Sequence, residues 1–298
     1  MHSSDTIWYK WTKGIAYEVA FWNNVCRWAH TFEGTMNWSG YGNTIQLEHF
    51  DVNDFLCQTD SPKVLDVGCG MSYATGNYLT KNGQQYPLDI HYVDPLAHYF
   101  NQILRRHHRE LPDIDFGMME SLHDYYPGHD VALVIIQNAL DHSAYPLRGI
   151  IASIETLQKG GILYLNHHPN EAETEHYKGF HQYNIIEEEG HLIIWNKDSR
   201  WDVNKAVSGF ADVEVCVHDN GHVIAIIRKN RDVPAEALAD KLRNKTNTTL
   251  TANGINYVNR WDALKYKLNY WKYNTIQFFV QALPWHVKMK LKRLIGQA

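Results

Sequence analysis

Two glycines separated by one residue, Gly68 and Gly70, directly follow a short apolar run. The run Val64–Val67 has the composition of a strand that is buried on both faces. Glycines at this spacing allow a tight turn and let the backbone approach a ligand closely. The residues that follow, Tyr73–Lys81, are compatible with a helix. The pattern predicts a strand, a glycine loop and a helix, which is the start of a nucleotide-binding α/β unit.

The loop has two interpretations, an ordinary turn of a parallel α/β domain or a cofactor loop. A dinucleotide-binding loop has the spacing G-x-G-x-x-G, and the next glycine here, Gly76, is too far from Gly68. The Gly-Lys pair of a P-loop is absent from the sequence. Asp66, two residues before the first glycine, suits a cationic or amino-bearing ligand better than a phosphate. The loop alone does not decide between the two interpretations.

Polar residues follow each of five predicted strands, and ligands of a doubly wound sheet bind beyond these strand ends. The candidates are Gly68, Cys69 and Gly70 after the first strand, Asp94 after the second, Met119 and Glu120 after the third, Asn138, Asp141 and His142 after the fourth, and His167, His168 and Glu171 after the fifth. An acid at the position of Asp94 accepts hydrogen bonds from ribose hydroxyls in such folds. The set favours a nucleoside-type ligand.

Strands and helices alternate between residues 63 and 166, which predicts right-handed crossovers and a parallel sheet. The predicted strands are Lys63–Val67, Asp89–Val93, Ile114–Met118, Val131–Ile136 and Ile162–Asn166, and the predicted helices after the first one are Ala97–Arg106 and Pro146–Leu157. A hairpin insertion at about 183–197 and a helix over Trp201–Gly209 follow. The strands Asp212–Val217 and His222–Arg228 then form an antiparallel edge, and Asn220-Gly221 between them predicts a type I′ turn.

Composition places the chain among ordinary globular proteins, with 44% hydrophobic and 20% charged residues in a length of 298. No apolar run approaches the ~20 residues that span a bilayer, and the opening residues lack the features of a signal peptide. The four cysteines are scattered without a C-x-x-C pair. We therefore expect a cytoplasmic protein with reduced thiols and no disulfide framework.

Charge is distributed unevenly along the chain. Eleven Lys and Arg but only one acid, Asp262, lie from residue 241 onward, so this segment carries +10 while the remainder carries −15. Its tryptophans and other apolar residues recur at near-helical spacing, which is typical of a helix that binds a membrane surface. Packing on the core or on a second subunit is the alternative. Nucleic acid ranks last, because the acidic remainder would repel a phosphate backbone.

The stretch from about 60 to 230 resembles class I S-adenosylmethionine-dependent methyltransferases. The motifs that carry the resemblance are VLDVGCGMS (64–72), HYVDPLA (91–97), GMMESL (117–122), DVALVIIQNALDHS (130–143) and LQKGGILYL (157–165). Residues 170–184, NEAE…GFHQYN, further resemble bacterial methyltransferase-domain proteins, some associated with cell-surface polysaccharide synthesis. One departure is Ser72, which stands where many members have a third glycine.

The resemblance implies an α/β fold, a Rossmann-like seven-stranded sheet with helices on both faces and only the last strand antiparallel. We divide the chain into an N-terminal helical cap (1–60), a cofactor-binding domain (61–232) and a basic helical tail (233–298). The implied cofactor is S-adenosyl-L-methionine, with S-adenosyl-L-homocysteine as its product.

The resemblance also implies roles for individual residues. Asp66 would lie near the methionine amino group, the loop of Gly68, Cys69 and Gly70 would approach the cofactor, Asp94 would bind the ribose, Pro95, Leu96, Met119 and Glu120 would border the adenine, and Asn138 would face the methionine portion. Transfer to a hydroxyl requires removal of a proton, for which His142 is our candidate base and Asp141 its orienting partner. A structural role for His142 is the equal alternative.

Five further residues, His167, His168, Glu171, His181 and Gln182, are candidates for substrate contacts. The histidines and acids among these residues are metal-ligand types, but the sequence has no H-E-x-x-H or similar spacing, so we expect no metal. We predict methyl transfer to a hydroxyl of a sugar or glycan, with self-association as a further property. A small metabolite or amine acceptor, or a non-catalytic scaffold, remain the alternatives.

Overall fold

A seven-stranded sheet forms the centre of the protein in a computed structural model that describes residues 3–60, 62–238, 250–257, 260–284, 286–288 and 290. The strands are β1 (Lys63–Val67), β2 (Tyr78–Lys81), β3 (Gln84–Pro87), β4 (Asp89–Asp94), β5 (Asp115–Phe116), β6 (Val131–Gln137), β7 (Leu157–His167), β8 (Asn184–Glu188), β9 (His191–Trp195), β10 (Arg200–Asp202), β11 (Ala211–Val217), β12 (Val223–Lys229), β13 (Leu250–Thr251) and β14 (Gly254–Ile255). The helices are α1 (Ser3–Arg27), α2 (Ala29–Met36), α3 (Val52–Cys57), α4 (Ala97–Arg106), α5 (Leu122–Tyr125), α6 (Pro146–Thr156), α7 (Glu171–Thr174), α8 (Val203–Val207), α9 (Ala235–Leu238) and α10 (Arg260–Ala282), with 3₁₀ turns at Met119–Ser121 and Leu140–His142.

The order of the central sheet is β11-β12-β7-β6-β1-β4-β5. β7, β6, β1, β4 and β5 run parallel to one another, whereas β12 is antiparallel to both of its neighbours. The first six residues of β6 are buried, as expected for a central strand covered on both faces. The predicted α/β fold, a seven-stranded methyltransferase-type sheet with its last strand reversed, is confirmed.

The predicted helix over Tyr73–Lys81 is wrong, because β2 occupies its second half and pairs with β3. The backbone of this segment bonds to the preceding loop instead: Ile45 N–H donates to Tyr78 O at 2.8 Å, and Tyr78 N–H donates to Asn43 O at 3.2 Å. A Cβ at Gly76 would lie 2.8 Å from Asn43 O. Gly76 therefore allows the two loops to approach closely. The backbone N–H and C=O groups of Tyr78 bond to residues 43 and 45 of the neighbouring loop, so they do not form the hydrogen bonds of a helix.

Three smaller expectations also need correction. The predicted third strand shrinks to β5, and the predicted helix over Trp201–Gly209 begins later, as α8, because Arg200–Asp202 pairs with β9 as β10. Asp202 then caps α8 by accepting a hydrogen bond from Lys205 N–H. The turn between β11 and β12 is not type I′, since Gly221 has a positive φ (86°) and Asn220 does not.

α10 packs along α1, so segments from the predicted cap and the predicted tail are in direct contact. The side-chain oxygen of Asn274 accepts hydrogen bonds from the Nδ2 atoms of Asn23 and Asn24, both at 2.9 Å. Trp28 packs on Phe278, with 5.3 Å between ring centroids. In the part of the chain that the structure describes, no helix combines the length and the apolar character needed to traverse a bilayer. Lys292 and Arg293, which contribute to the predicted basic tail, lie outside the described residues.

We expect Gly76→Ala to lower the free energy of unfolding by about 1–3 kcal/mol, because the added methyl group must displace the backbone around Asn43. Gly209→Ala is the matched control. A Cβ there meets no atom within 4 Å, so stability should stay within about 0.5 kcal/mol of the wild type. Urea denaturation of both variants tests this, and equal stabilities would contradict the close approach.

Candidate functional site

A cavity of about 1390 Å³ opens between the carboxyl ends of the parallel strands and the helices α1, α2 and α10. Every residue that the sequence analysis assigned to a cofactor lines this cavity, namely Asp66, Gly68, Cys69, Gly70, Asp94, Pro95, Leu96, Met119, Glu120 and Asn138. These residues come from the ends of β1, β4 and β6 and from the 3₁₀ turn after β5. The fold thus brings residues from 66 to 138 to one wall of a single cavity.

The glycine loop lies tightly between its neighbours. Gly68 has a φ of 71°, and a Cβ there would lie 2.5 Å from the Cβ of Ala139. Gly70 has a φ of 54° and lies against the ring of Trp22. Gly68 N–H donates to Val93 O at 2.8 Å, which ties the loop to β4. Any residue other than glycine would be strained at both positions. Two glycines also leave the backbone uncovered by side chains, so a ligand can approach it closely.

Two buried carboxyl groups lie at the base of the cavity. Asp94 accepts hydrogen bonds from Gly70 N–H at 3.1 Å and from Leu96 N–H at 2.7 Å. Burial raises the pKa of Asp94 to about 7, and the charges of Glu18 and Asp66 act in the same direction. Burial likewise raises the pKa of Asp66 to about 6. Asp66 Oδ2 has no hydrogen-bond partner among the described residues, so it is available to a ligand that donates hydrogen bonds.

Glu120 and Asn138 each join two segments of the cavity wall. Glu120 Oε1 accepts hydrogen bonds from Ser143 Oγ at 2.6 Å and from Ala144 N–H at 2.9 Å, which fixes the turn before α6. Asn138 has a left-handed φ of 46°, and its Oδ1 accepts a hydrogen bond from His168 N–H at 3.0 Å. The ends of β6 and β7 are therefore held together directly beneath the cavity.

Asp141, His142 and His181 form a compact cluster beside the cavity, and His142 lines it. His181 Nδ1 lies 2.7 Å from Asp141 Oδ2 and 3.2 Å from His142 Nε2, and His142 Nε2 lies 3.6 Å from Asp141 Oδ2. Burial alone would raise the pKa of the Asp141 carboxyl, but the nearby charges of the two histidines outweigh it and the pKa lies below its ordinary value. An ionised carboxylate thus faces both imidazoles.

None of the five predicted substrate residues, His181 included, is among the described residues that line the cavity. His167 is buried, which lowers its pKa to about 4, and its Nε2 has no hydrogen-bond partner in the described chain. His168 packs on the ring of His222, with centroids 4.1 Å apart. Gln182 Nε2 donates to Gly179 O at 2.8 Å, and Glu171 begins α7.

Helices α1, α2 and α10 form the roof of the cavity; the predicted N-terminal cap (1–60) includes the first two, but the contribution of α10 and the individual residues of these roof helices were not predicted. Glu18 and Trp22 of α1 line the cavity, and Trp22 Nε1–H donates to Glu18 Oε1 at 2.8 Å. From α10, Gln277 and Gln281 line it and bond to each other at 3.1 Å. The sequence pattern that could have indicated this face of α10 is the pair Gln277 and Gln281, which are one helical turn apart in a mainly apolar stretch.

No protein-family model matches the sequence, and no curated protein matches it either. Similar solved structures include RsmC from T. thermophilus, a 16S rRNA N2 methyltransferase in complex with AdoMet and guanosine (14% identity, TM-score 0.35, 64% of this chain and 42% of that one). They also include the trans-methyltransferase CalH in complex with SAH (15%, 0.40, 59% and 54%) and an S-adenosylmethionine-dependent methyltransferase from Clostridium acetobutylicum (12%, 0.35, 60% and 90%). The chain spans about half the length of the first two.

We expect the pKa of Asp94 to make stability fall as pH rises. A carboxyl whose folded pKa of about 7 exceeds its unfolded value of about 3.9 stabilises the fold fully only below the lower value, and this contribution is lost as pH rises through 7. Between pH 5 and 8, the wild type should lose on the order of 2 kcal/mol more than Asp94→Asn. Urea titrations at both pH values test this, with Asp219→Asn in an exposed turn as the control. Parallel pH profiles for the wild type and Asp94→Asn would contradict it.

Proposed function

We propose that the protein is an S-adenosyl-L-methionine-dependent methyltransferase that acts on a hydroxyl group. The observation that carries the proposal is the convergence of ten cofactor-type residues from three strand ends and a neighbouring turn onto one cavity. The location of the cavity supports a role in ligand binding, because ligands of doubly wound folds bind at the carboxyl ends of the strands. If Gly68 and Gly70 formed only an ordinary turn, there would be no reason for the other eight residues to line the same cavity.

The charge of the cavity suits this cofactor. Its sulfonium and amino groups are cationic, and its ribose hydroxyls donate hydrogen bonds. The Asp94 carboxyl keeps lone pairs free for the ribose after accepting the two backbone hydrogen bonds, while Asp66 and Glu18 supply negative charge around the cationic groups. A phosphate group would be repelled by the same three carboxylates.

Methyl transfer then requires an aligned acceptor and removal of its proton. The acceptor oxygen forms a bond to the methyl carbon, the bond from that carbon to sulfur breaks, and S-adenosyl-L-homocysteine remains. We place deprotonation of the hydroxyl at the cluster of Asp141, His142 and His181, because His142 lines the cavity and the ionised Asp141 carboxylate lies beside it. Without a base at this position, the acceptor would have to attack the methyl carbon as a neutral hydroxyl, which is a weaker nucleophile than its deprotonated form.

We favour a sugar or glycan as the acceptor. Trp38, Trp22 and Phe180 present flat aromatic surfaces to the cavity, and Gln137 and Gln277 add amide groups, a combination that matches the mixed faces of a sugar. The polysaccharide context rests on the resemblance of residues 170–184 alone. A small metabolite or an amine acceptor, or a scaffold without activity, are the competing functions.

We expect the wild type to bind S-adenosyl-L-methionine in calorimetry, and Asp94→Ala to bind it at least 10-fold more weakly, since the ribose loses its acceptor. His142→Ala should keep cofactor affinity within about 3-fold while turnover falls by about 10²-fold or more. Asp219→Asn is the control for both readouts. Absence of cofactor binding at millimolar concentration would exclude the enzyme, and unchanged turnover in His142→Ala would remove the cluster from catalysis.

We also propose that α10 binds an anionic membrane surface. Its outer face is a row of exposed apolar side chains, Trp261 (72% exposed), Leu268 (59%), Trp271 (71%) and Phe279 (64%). Exposed lysines, Lys265, Lys267 and Lys272, flank the row. The only acid in the helix is Asp262, so self-association through this face would bring the three lysines of each copy together with a single carboxylate from each. Tryptophan and lysine together suit the headgroup region of a bilayer.

We expect the full chain to co-sediment with vesicles of phosphatidylserine and phosphatidylcholine, and less with phosphatidylcholine alone, because each lysine near an anionic surface contributes about 1 kcal/mol. Leu268→Glu combined with Trp271→Glu should abolish binding. Tyr86→Glu combined with Val217→Glu, which places the same two charges at exposed apolar residues of β3 and β11, should bind as the wild type does. Equal binding by the double variant would contradict the proposal.

A further inference from the structure

Three ligand-type atoms from two segments of the chain meet at one point beside the cavity. Asp141 Oδ2, His142 Nε2 and His181 Nδ1 form a triangle with sides of 2.7, 3.2 and 3.6 Å. Ligand atoms that lie about 2.1 Å from a metal ion are separated by about 3.0–3.4 Å in octahedral or tetrahedral geometry. The 3.2 Å side falls within this range, and shifts of about 0.2–0.3 Å bring the other two sides into it, so the three atoms are spaced closely enough to bind one ion.

Hydrogen bonds alone satisfy this arrangement poorly. An imidazole nitrogen carries at most one hydrogen, and His181 Nδ1 faces both Asp141 Oδ2 and His142 Nε2. If that hydrogen goes to the carboxylate at 2.7 Å, His142 Nε2 has only a shared contact with His181 and lies 3.6 Å from the carboxylate, beyond good hydrogen-bond distance. A cation accepts a lone pair from each of the three atoms at once.

The cluster is closed on one side and open on the other. The Asp141 side chain is only 5% exposed, whereas the side chains of His142 and His181 are 28% and 29% exposed. Of the three residues, His142 lines the cavity. Three protein ligands with positions left open to further ligands form the arrangement of catalytic metal sites, whereas structural sites are fully enclosed.

We propose that Asp141, His142 and His181 bind a divalent transition-metal ion, which holds the acceptor oxygen next to the methyl group. Two imidazoles and one carboxylate favour an ion such as Zn²⁺, Mn²⁺ or Fe²⁺ over Mg²⁺ or Ca²⁺, which prefer oxygen ligands. The role of the ion in the reaction rests on the proposed function. The inference replaces our sequence-based expectation of no metal: two ligands are adjacent and the third follows 39 residues after His142, so no short motif marks the site.

A bound ion also defines the role of His142 more closely. With the ion bound, the acceptor hydroxyl would coordinate at an open position, and the charge of the ion would lower the pKa of that hydroxyl. Its proton would pass to water, the oxygen would form the bond to the methyl carbon, and the bond from the methyl carbon to sulfur would break. His142 would then promote deprotonation as a ligand of the ion, with water as the base.

Titration of the metal-stripped full chain with Co²⁺ tests the site independently of turnover. We expect visible absorption bands that saturate at one ion per chain, and at least 10-fold weaker Co²⁺ affinity in Asp141→Asn and in His181→Gln. His191→Gln is the matched control, because His191 Nδ1 lies 2.8 Å from Asp202 Oδ2 in a comparable pair on the hairpin. This control should bind Co²⁺ as the wild type does.

Saturation at one ion per chain with selective loss in the two ligand variants supports the site. Absence of Co²⁺ bands in the wild type, or equal affinity in all three variants and the wild type, overturns it. Circular dichroism identifies a variant that fails to fold. If Asp141→Asn fails to fold, the metal affinity of His181→Gln tests the site instead. Calorimetry with S-adenosyl-L-methionine on the same samples separates the proposals: cofactor binding without metal binding leaves the proposed function in place, and metal binding without cofactor binding removes only that function.

Discussion

The hydrogen bond from Gly70 N–H to Asp94 Oδ2 is the contact on which the candidate site depends most. It joins the loop after β1 to the end of β4, and the second oxygen of the same carboxylate holds the start of the segment before α4 through Leu96 N–H. A buried carboxyl is costly unless its oxygens are used, and here two backbone donors reduce that cost. The remaining lone pairs point to a ligand that donates hydrogen bonds, so the contact serves both the fold and the site.

Burial and charge act together around that contact. Asp66, Asp94 and Glu18 come from β1, β4 and α1, and the first two have pKa values raised mainly by burial. The negative charges of Glu18 and Asp66 repel an ionised Asp94 and so raise its pKa further. A cationic ligand relieves this repulsion, which gives such a ligand an advantage over a neutral analogue of similar shape.

The sheet and its strand ends could be predicted from the sequence because β6 and its neighbours are apolar runs with polar residues at their ends. The helix after the glycine loop could not, since its replacement by β2 depends on hydrogen bonds with Asn43 and Ile45, which local propensity does not contain. The contribution of α10 to the roof was missed for a related reason. Asn24 and Asn274 are 250 residues apart, and no periodicity pairs helices at that distance. The metal-type cluster likewise requires the fold to bring His181 to Asp141.

The seam between α1 and α10 has a consequence for exchange of the cofactor. Around Asn23, Asn24 and Asn274 the two helices meet through amide hydrogen bonds, and water can replace such bonds when the helices separate. Lifting α10 there exposes less apolar surface than opening a fully hydrophobic seam, while the sheet beneath stays intact. A cavity roofed by this seam can therefore be opened at a lower cost in free energy than one roofed by an apolar seam, so a ligand can enter or leave without disruption of the sheet.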